Sequence, residues 1–179
     1  ENTEGMNNCS DIARVSDAVM IDRGDLVAEV GYQNLFRGIE DISIATKEAG
    51  KPLIMATENL ESMVHRQLPS KSEVISIAHS IQKGVDCFML SEETAISKNK
   101  HIIVEWLSEF ASKLEVKDSN ELIPPKTTEE EFSIWQAILQ YDGLPIIVVS
   151  KSGRAVSRLL ALKRNAEIVV LTNNPKVEK

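Results

Sequence analysis

The chain has little of what a disulfide scaffold, a nucleic-acid binder or a membrane-spanning protein needs. Its 179 residues include two cysteines, Cys9 and Cys87, without Cys-x-x-Cys spacing, so neither a disulfide framework nor a zinc site is expected. Cys87 opens an apolar segment and reads as a buried structural thiol in a reducing, cytoplasmic compartment. Aromatic residues make up 4% of the sequence; Trp106, Trp135, Met55 and Met89 read as core. Lys and Arg number 20 against 27 Asp and Glu, a net charge of −7, which argues against a nucleic-acid partner because phosphate binding needs clustered cations. No apolar run approaches the roughly 18 residues that span a bilayer, so the chain reads as soluble, with no membrane partner. His65, His79 and His101 are scattered, have no partner spacing and carry no assigned role.

What is present is a repeat. Three apolar segments, Asp17 to Asp22, Pro52 to Thr57 and Cys87 to Glu92, are predicted strands whose starts lie 35 residues apart. Each runs into small, polar or acidic residues. Helical patterns lie between them: Tyr32 to Ala49, stopped by Gly50, and a segment opened by Ser72 and Glu73 that ends near Gly84. A third helix, His101 to Leu114, places Ile103, Trp106, Leu107, Phe110 and Leu114 largely on one face. Strands and helices in this alternation are βα units, and in such barrels the chemistry sits at the C-terminal strand ends. One edge therefore carries Arg23, Gly24 and Asp25, then Thr57 and Glu58, then Ser91, Glu92, Glu93 and Thr94.

Closed βα barrels need about 250 residues, so the fold class expected here is α/β with a partial barrel, its last strands only, over residues 1–116. Such an open remnant leaves an unpaired sheet edge, which favours association. Pro124 and Pro125 interrupt a stretch without periodicity, placing a linker at residues 117–127. Residues 128–179 then read as an incomplete three-layer α/β domain. Thr128 and Glu131 have capping-box spacing before a helix buried through Phe132, Trp135, Ile138 and Leu139. Strand Pro145 to Val149, helix Arg154 to Lys163 and strand Glu167 to Leu171 complete a βαβ unit. The chain opens on Glu1 rather than Met, which reads as an internal or processed start.

Carboxylates at strand ends are the preferred ligands of magnesium, which takes one or two of them and completes its shell with water and substrate oxygens. Glu1 and Asp25 are candidates for such a pair, although an Asp after Gly also serves as a turn or cap residue. Gly24 allows backbone to approach a ligand, the turn after it exposes N–H groups to a carboxylate or phosphate, and Thr57 adds a hydroxyl. Separately, Ser150, Lys151, Ser152, Gly153 and Arg154 lie between a strand and a helix, where hydroxyls, backbone N–H groups and two cations suit a phosphate. A solvated turn with a helix cap is the alternative there.

At these residues the chain resembles the pyruvate kinase family. Glu1-Asn2-Thr3-Glu4-Gly5 is similar to the family's Glu-Asn-x-Glu-Gly, and Asp22-Arg23-Gly24-Asp25-Leu26 to its Ala-Arg-Gly-Asp-Leu. Ala56-Thr57-Glu58-Asn59-Leu60-Glu61-Ser62-Met63 is similar to Ala-Thr-Gln-Met-Leu-Glu-Ser-Met, and Leu90-Ser91-Glu92-Glu93-Thr94-Ala95 to Leu-Ser-Gly-Glu-Thr-Ala. The resemblance covers essentially the whole chain: the last part of the barrel domain and the start of the C-terminal allosteric domain. It implies phosphoryl transfer from phosphoenolpyruvate to ADP in a cytoplasmic, glycolytic enzyme, with Mg2+ and K+ as cofactors. On that basis Glu1 and Asp25 would hold magnesium, backbone at Gly24 and Asp25 would meet the substrate carboxylate, and Thr57 would hydrogen-bond it as the catalytic hydroxyl. Ser150 through Ala155 (Ser150, Lys151, Ser152, Gly153, Arg154, Ala155) would bind the phosphate of a sugar-bisphosphate effector, and a homo-oligomer, a tetramer in the family, is implied.

The departures carry information too. The family's catalytic lysine precedes the position of Glu1 by two residues, and its potassium and nucleotide residues belong to parts not in this sequence, so the isolated chain is expected not to turn over. Asp22 stands where the motif has Ala, Glu58 where it has Gln, and Val27 and Glu92 where it has Gly. One extra carboxylate about 4 Å from an anion costs roughly 1 kcal/mol in bulk water and about 4 kcal/mol at a surface-like effective dielectric. If either replaced glycine needed positive φ, its side chain would add about 1 to 2 kcal/mol of strain. A non-catalytic relative that senses a phosphorylated metabolite, or acts through subunit contacts, is the alternative. A magnesium-dependent aldolase or lyase barrel is a third reading, disfavoured by the appended βαβ unit.

Overall fold

The computed structural model describes residues 2–115, 144–153, 155, 156, 159, 167–175 and 177. The first unit opens with two short helices, α1 (Thr3–Asn7) and α2 (Cys9–Val15), and then enters β1 (Val19–Asp22). Helix α3 (Arg23–Val30) starts on the residue after β1 and is followed by α4 (Tyr32–Glu48) and β2 (Leu53–Ala56). A 3-10 turn (Glu61–Val64) leads to α5 (Lys71–Gln82), β3 (Cys87–Met89), α6 (Glu92–Ala95) and α7 (Lys100–Glu115). The three strands form a parallel sheet in the order β1-β2-β3. Parallel strands joined through helices make this an α/β fold.

The side-chain alternation of the strands decides what is buried. Ile21, Leu53 and Met55 share one face and pack with Leu26 of α3 and Ile42 of α4. Each such side chain contributes about 1.5 to 3 kcal/mol on burial. A second cluster joins Leu60 and Met63 to Ile77 and Ile81 of α5 and Ile103 of α7. On the opposite face, register aligns Met20 with Ile54 and Cys87, then Asp22 with Ala56 and Met89. Met20 is 48% exposed and Met89 36% exposed. The expectation that Cys87 and Met89 are buried is therefore corrected: both lie on edge strand β3, on the face turned away from the α3–α4 packing. Met55 is buried as expected and Trp106 is half-buried.

Helix ends follow local chemistry. Ser70 caps α5 with a reciprocal capping box to Glu73, which moves the start one residue ahead of the predicted Ser72. Gly50 and Gly84 follow α4 and α5 at φ 64 and φ 84, the left-handed conformation that glycine adopts without a Cβ penalty. Strand β3 is shorter than its apolar run because the Ser91 N–H turns to the Glu93 carboxylate at 2.7 Å and α6 begins at once.

In the second unit β4 (Ile146–Val149) pairs in parallel with β5 (Ile168–Leu171). Residues 155, 156 and 159 are helical, within the expected Arg154 to Lys163 segment. The expected linker at 117–127 and helix around Phe132 to Leu139 lie outside the described residues.

Candidate functional site at the strand edge

Parallel register brings the end of β1 beside the end of β2, pairing Asp22 with Ala56. The chain then leaves β2 through Thr57 at φ 59 and Glu58 at φ 50, the described non-glycine residues with positive φ. A β-branched residue held there stores about 1 to 2 kcal/mol of backbone strain. Arg23 holds it in place. Its buried guanidinium donates from Nε to the Thr57 carbonyl at 3.2 Å, and from Nη2 to the same carbonyl and to Asn59 Oδ1 at 2.9 Å. Nη1 reaches Ser76 Oγ at 3.0 Å. Burial lowers the Arg23 pKa, opposed by the charges of Glu58, Glu93 and Asp22, and the guanidinium stays protonated in the physiological range.

The next layer fixes the end of β3. Asn59, buried, donates from Nδ2 to the Met55 carbonyl at 3.2 Å and the Met89 carbonyl at 2.9 Å. The buried Glu93 carboxylate accepts backbone N–H groups from Asn59 (3.2 Å), Leu60 (3.1 Å) and Ser91 (2.7 Å). Arg23, Asn59 and Glu93 thus bind three strand ends into one rim. Sequence reading placed Arg23 and Glu93 on this edge without giving them a task and passed over Asn59; all three lie inside the quoted motifs, which was the available signal.

The rim brings several predicted site residues together. The Gly24 N–H donates to Thr57 Oγ1 at 3.2 Å, and the Thr57 hydroxyl donates to Asp22 Oδ1 at 3.1 Å. The Asp25 N–H also donates to Asp22 Oδ1 at 3.1 Å, making Asp22 the N-cap of α3. A Cβ on Gly24 would lie 3.5 Å from Asp22 Oδ1 and 3.8 Å from Thr57 Oγ1, ordinary contact distances. The Asp25 side chain is exposed in the first turn of α3, and its carboxylate takes no hydrogen bond among the described residues. Two free hard oxygens at a strand end suit magnesium, which needs only one or two carboxylates from the protein. No cluster of three or more His, Cys, Asp or Glu side chains able to hold a metal occurs among the described residues. Glu1, the expected second ligand, lies outside them.

The replaced glycines carry no strain: Val27 lies within α3 and Glu92 within α6, and neither has positive φ. Glu58 and Glu92 are exposed, whereas Asp22 is half-buried and faces the site residues.

Family comparison decides the relationship. The profile described as pyruvate kinase, barrel domain, matches residues 1–101. The chain belongs to the pyruvate kinase family. A pyruvate kinase of Kluyveromyces lactis is 33% identical over 190 aligned residues, covering 100% of this chain and 38% of that protein. Pyruvate kinase 1 of Saccharomyces cerevisiae is 31% identical with the same coverage. Among solved structures, a pyruvate kinase from Cryptosporidium parvum matches with a TM-score of 0.86 at 28% identity, covering 99% of this chain and 38% of that one. The chain thus spans 38% of the length of these pyruvate kinases.

In the second unit, Ser150 is buried, with its N–H on the Leu171 carbonyl at 3.0 Å. Its Oγ accepts the Gly153 N–H at 3.0 Å, and Asn174 Nδ2 donates to the Lys151 carbonyl at 2.9 Å. Gly153 turns at φ 77 toward helical Ala155, while Lys151 and Ser152 are exposed. Arg154 lies outside the described residues. No helix among the described residues is long and apolar enough to cross a membrane.

Proposed function

We propose that residues 1–116 are the C-terminal strands of a pyruvate-kinase barrel, joined by a linker at 117–127 to the start of an allosteric domain at 128–179. Their rim is one half of a site for phosphoryl transfer from phosphoenolpyruvate to ADP. The observation that carries this reading is the convergence of Asp22, Gly24, Asp25 and Thr57 on one strand edge, with contacts of 3.1 to 3.2 Å. Asp25, together with Glu1, would hold magnesium, which when bound supplies positive charge opposite the substrate oxygens. Gly24 and Asp25 orient the substrate carboxylate through backbone N–H groups, and the Thr57 hydroxyl donates to it. Arg23 keeps Thr57 in the required backbone conformation. The potassium and nucleotide contacts come from other parts of the whole protein, and the isolated 179-residue chain does not turn over.

The Ser150 to Ala155 turn is read as the effector loop for a sugar bisphosphate. A homo-oligomer in the cytoplasm belongs to the same reading, by likeness to the pyruvate kinases that the chain matches.

One observation favours a second reading, a non-catalytic family member. Asp22 replaces the motif's Ala and places a carboxylate among the groups that would receive an anion. A coupled assay of pyruvate formation from phosphoenolpyruvate and ADP on the whole protein separates the two. Magnesium-dependent turnover in the wild type, lost in Asp25→Asn, supports the enzyme reading. Absence of turnover in the wild type supports the non-catalytic one, and its release in Asp22→Ala would assign the loss to that carboxylate.

A further inference from the structure

We propose that the Asp22 carboxylate is a built-in occupant of the rim, filling the place of an external carboxylate and selecting against anionic ligands. This rests on the substrate-carboxylate reading above. Asp22 ends β1 on the open face of the sheet, opposite in alternation to Ile21, so its side chain projects over the strand edge rather than into the core. A helix N-cap needs only a hydrogen bond from the first turn, and the Asp25 N–H supplies it at 3.1 Å. The same oxygen, Oδ1, also accepts the hydrogen bond of the Thr57 hydroxyl at 3.1 Å, from the residue just after the neighbouring strand and 35 residues away. Capping does not explain that second contact.

The two contacts change what the rim offers. A threonine hydroxyl has one proton, and here it points to Asp22. The Gly24 N–H is committed to Thr57 Oγ1, and the Asp25 N–H to Asp22. All three donors assigned to the substrate carboxylate therefore have acceptors inside the chain. An incoming carboxylate must displace Asp22 and then sit beside a like charge. Alanine, which the motif has at this position, can neither accept these hydrogen bonds nor repel an anion. The Asp25 carboxylate is untouched by this arrangement, so the rim retains its cation-binding group while its anion-binding donors are closed.

Oxalate, a small planar dianion with the carboxylate geometry of an enolpyruvate, is a direct probe. Its affinity is measured by titration calorimetry on the whole protein at saturating magnesium, for the wild type, Asp22→Ala and Asp22→Asn. Removing a like charge about 4 Å from the ligand is expected to tighten binding at least about tenfold in Asp22→Ala. Asp22→Asn, which keeps a capping oxygen but not the charge, is expected to fall between the two and carries the test if the Ala variant folds poorly. Equal oxalate affinity in all three proteins would overturn the proposal while leaving the carboxylate site standing. No oxalate binding by any of them would overturn it together with the substrate reading.

Discussion

Arg23 grips the backbone carbonyl of Thr57 with one edge of its guanidinium, Nε at 3.2 Å and Nη2, across 34 residues of sequence. The fork also reaches Asn59 and Ser76, so one side chain ties β1 to the loop after β2 and to α5. Lysine has a single ammonium and cannot reproduce the planar fork. Arg23→Lys is therefore expected to destabilise the protein by about 2 to 3 kcal/mol, measured by denaturant unfolding. A loss below about 0.5 kcal/mol, the ordinary scale of surface changes, would count against this role.

Glu93 makes a second prediction. Its two carboxylate oxygens accept three backbone N–H groups in a buried position. Glutamine offers one acceptor oxygen and turns an NH2 toward a donor, leaving at least one N–H unpaired. Glu93→Gln should cost about 1 to 3 kcal/mol, and amide exchange should rise first at Asn59, Leu60 or Ser91.

The legible part of the molecule was the part written in local pattern. The β1, β2 and β3 segments, helices α4, α5 and α7, and the shared strand edge follow from apolar spacing and from glycines such as Gly50. Helix α3 did not, because it follows β1 without a loop and depends on a cap, Asp22, that also reads as the end of a strand. Cys87 was misread because burial of a strand residue depends on which face the neighbours cover, which an apolar run does not reveal. The Arg23–Asn59–Glu93 network was invisible for a related reason. The bonds that link Arg23 to Asn59 and Leu60 to Glu93 join residues more than 30 positions apart, and the network relies on left-handed backbone at Thr57, a conformation no side-chain pattern signals.

Glu58 tests that backbone directly. It is exposed and sits at φ 50. Glycine removes the Cβ penalty of about 1 to 2 kcal/mol but gives back roughly 0.5 to 1 kcal/mol of chain entropy. Glu58→Gly should therefore stabilise the protein by about 0.5 to 1 kcal/mol, read as a higher thermal midpoint; a clear loss of stability would mean that the attraction of Glu58 to the buried Arg23 outweighs the backbone relief.

Glu73 makes the pH prediction. Partial burial raises its pKa, but hydrogen bonds from Ser62 and Ser70 outweigh that and hold it below its ordinary value of 4.5. The folded state thus binds this proton less tightly than the unfolded chain. The stabilisation is complete above the unfolded value and is lost as pH falls through the lowered folded value. Unfolding free energy measured down through the acidic range should decline less steeply in Glu73→Gln than in the wild type. Parallel pH profiles would show that Glu73 contributes nothing.

The most direct measurement places a cation on the rim. Manganese, a paramagnetic substitute for magnesium, is titrated into 15N-labelled protein while amide signals are followed. Selective broadening of Gly24, Asp25 and Thr57, abolished by Asp25→Asn, is the predicted result. Broadening centred elsewhere, or unchanged in Asp25→Asn, would contradict the assignment of this edge as the functional site.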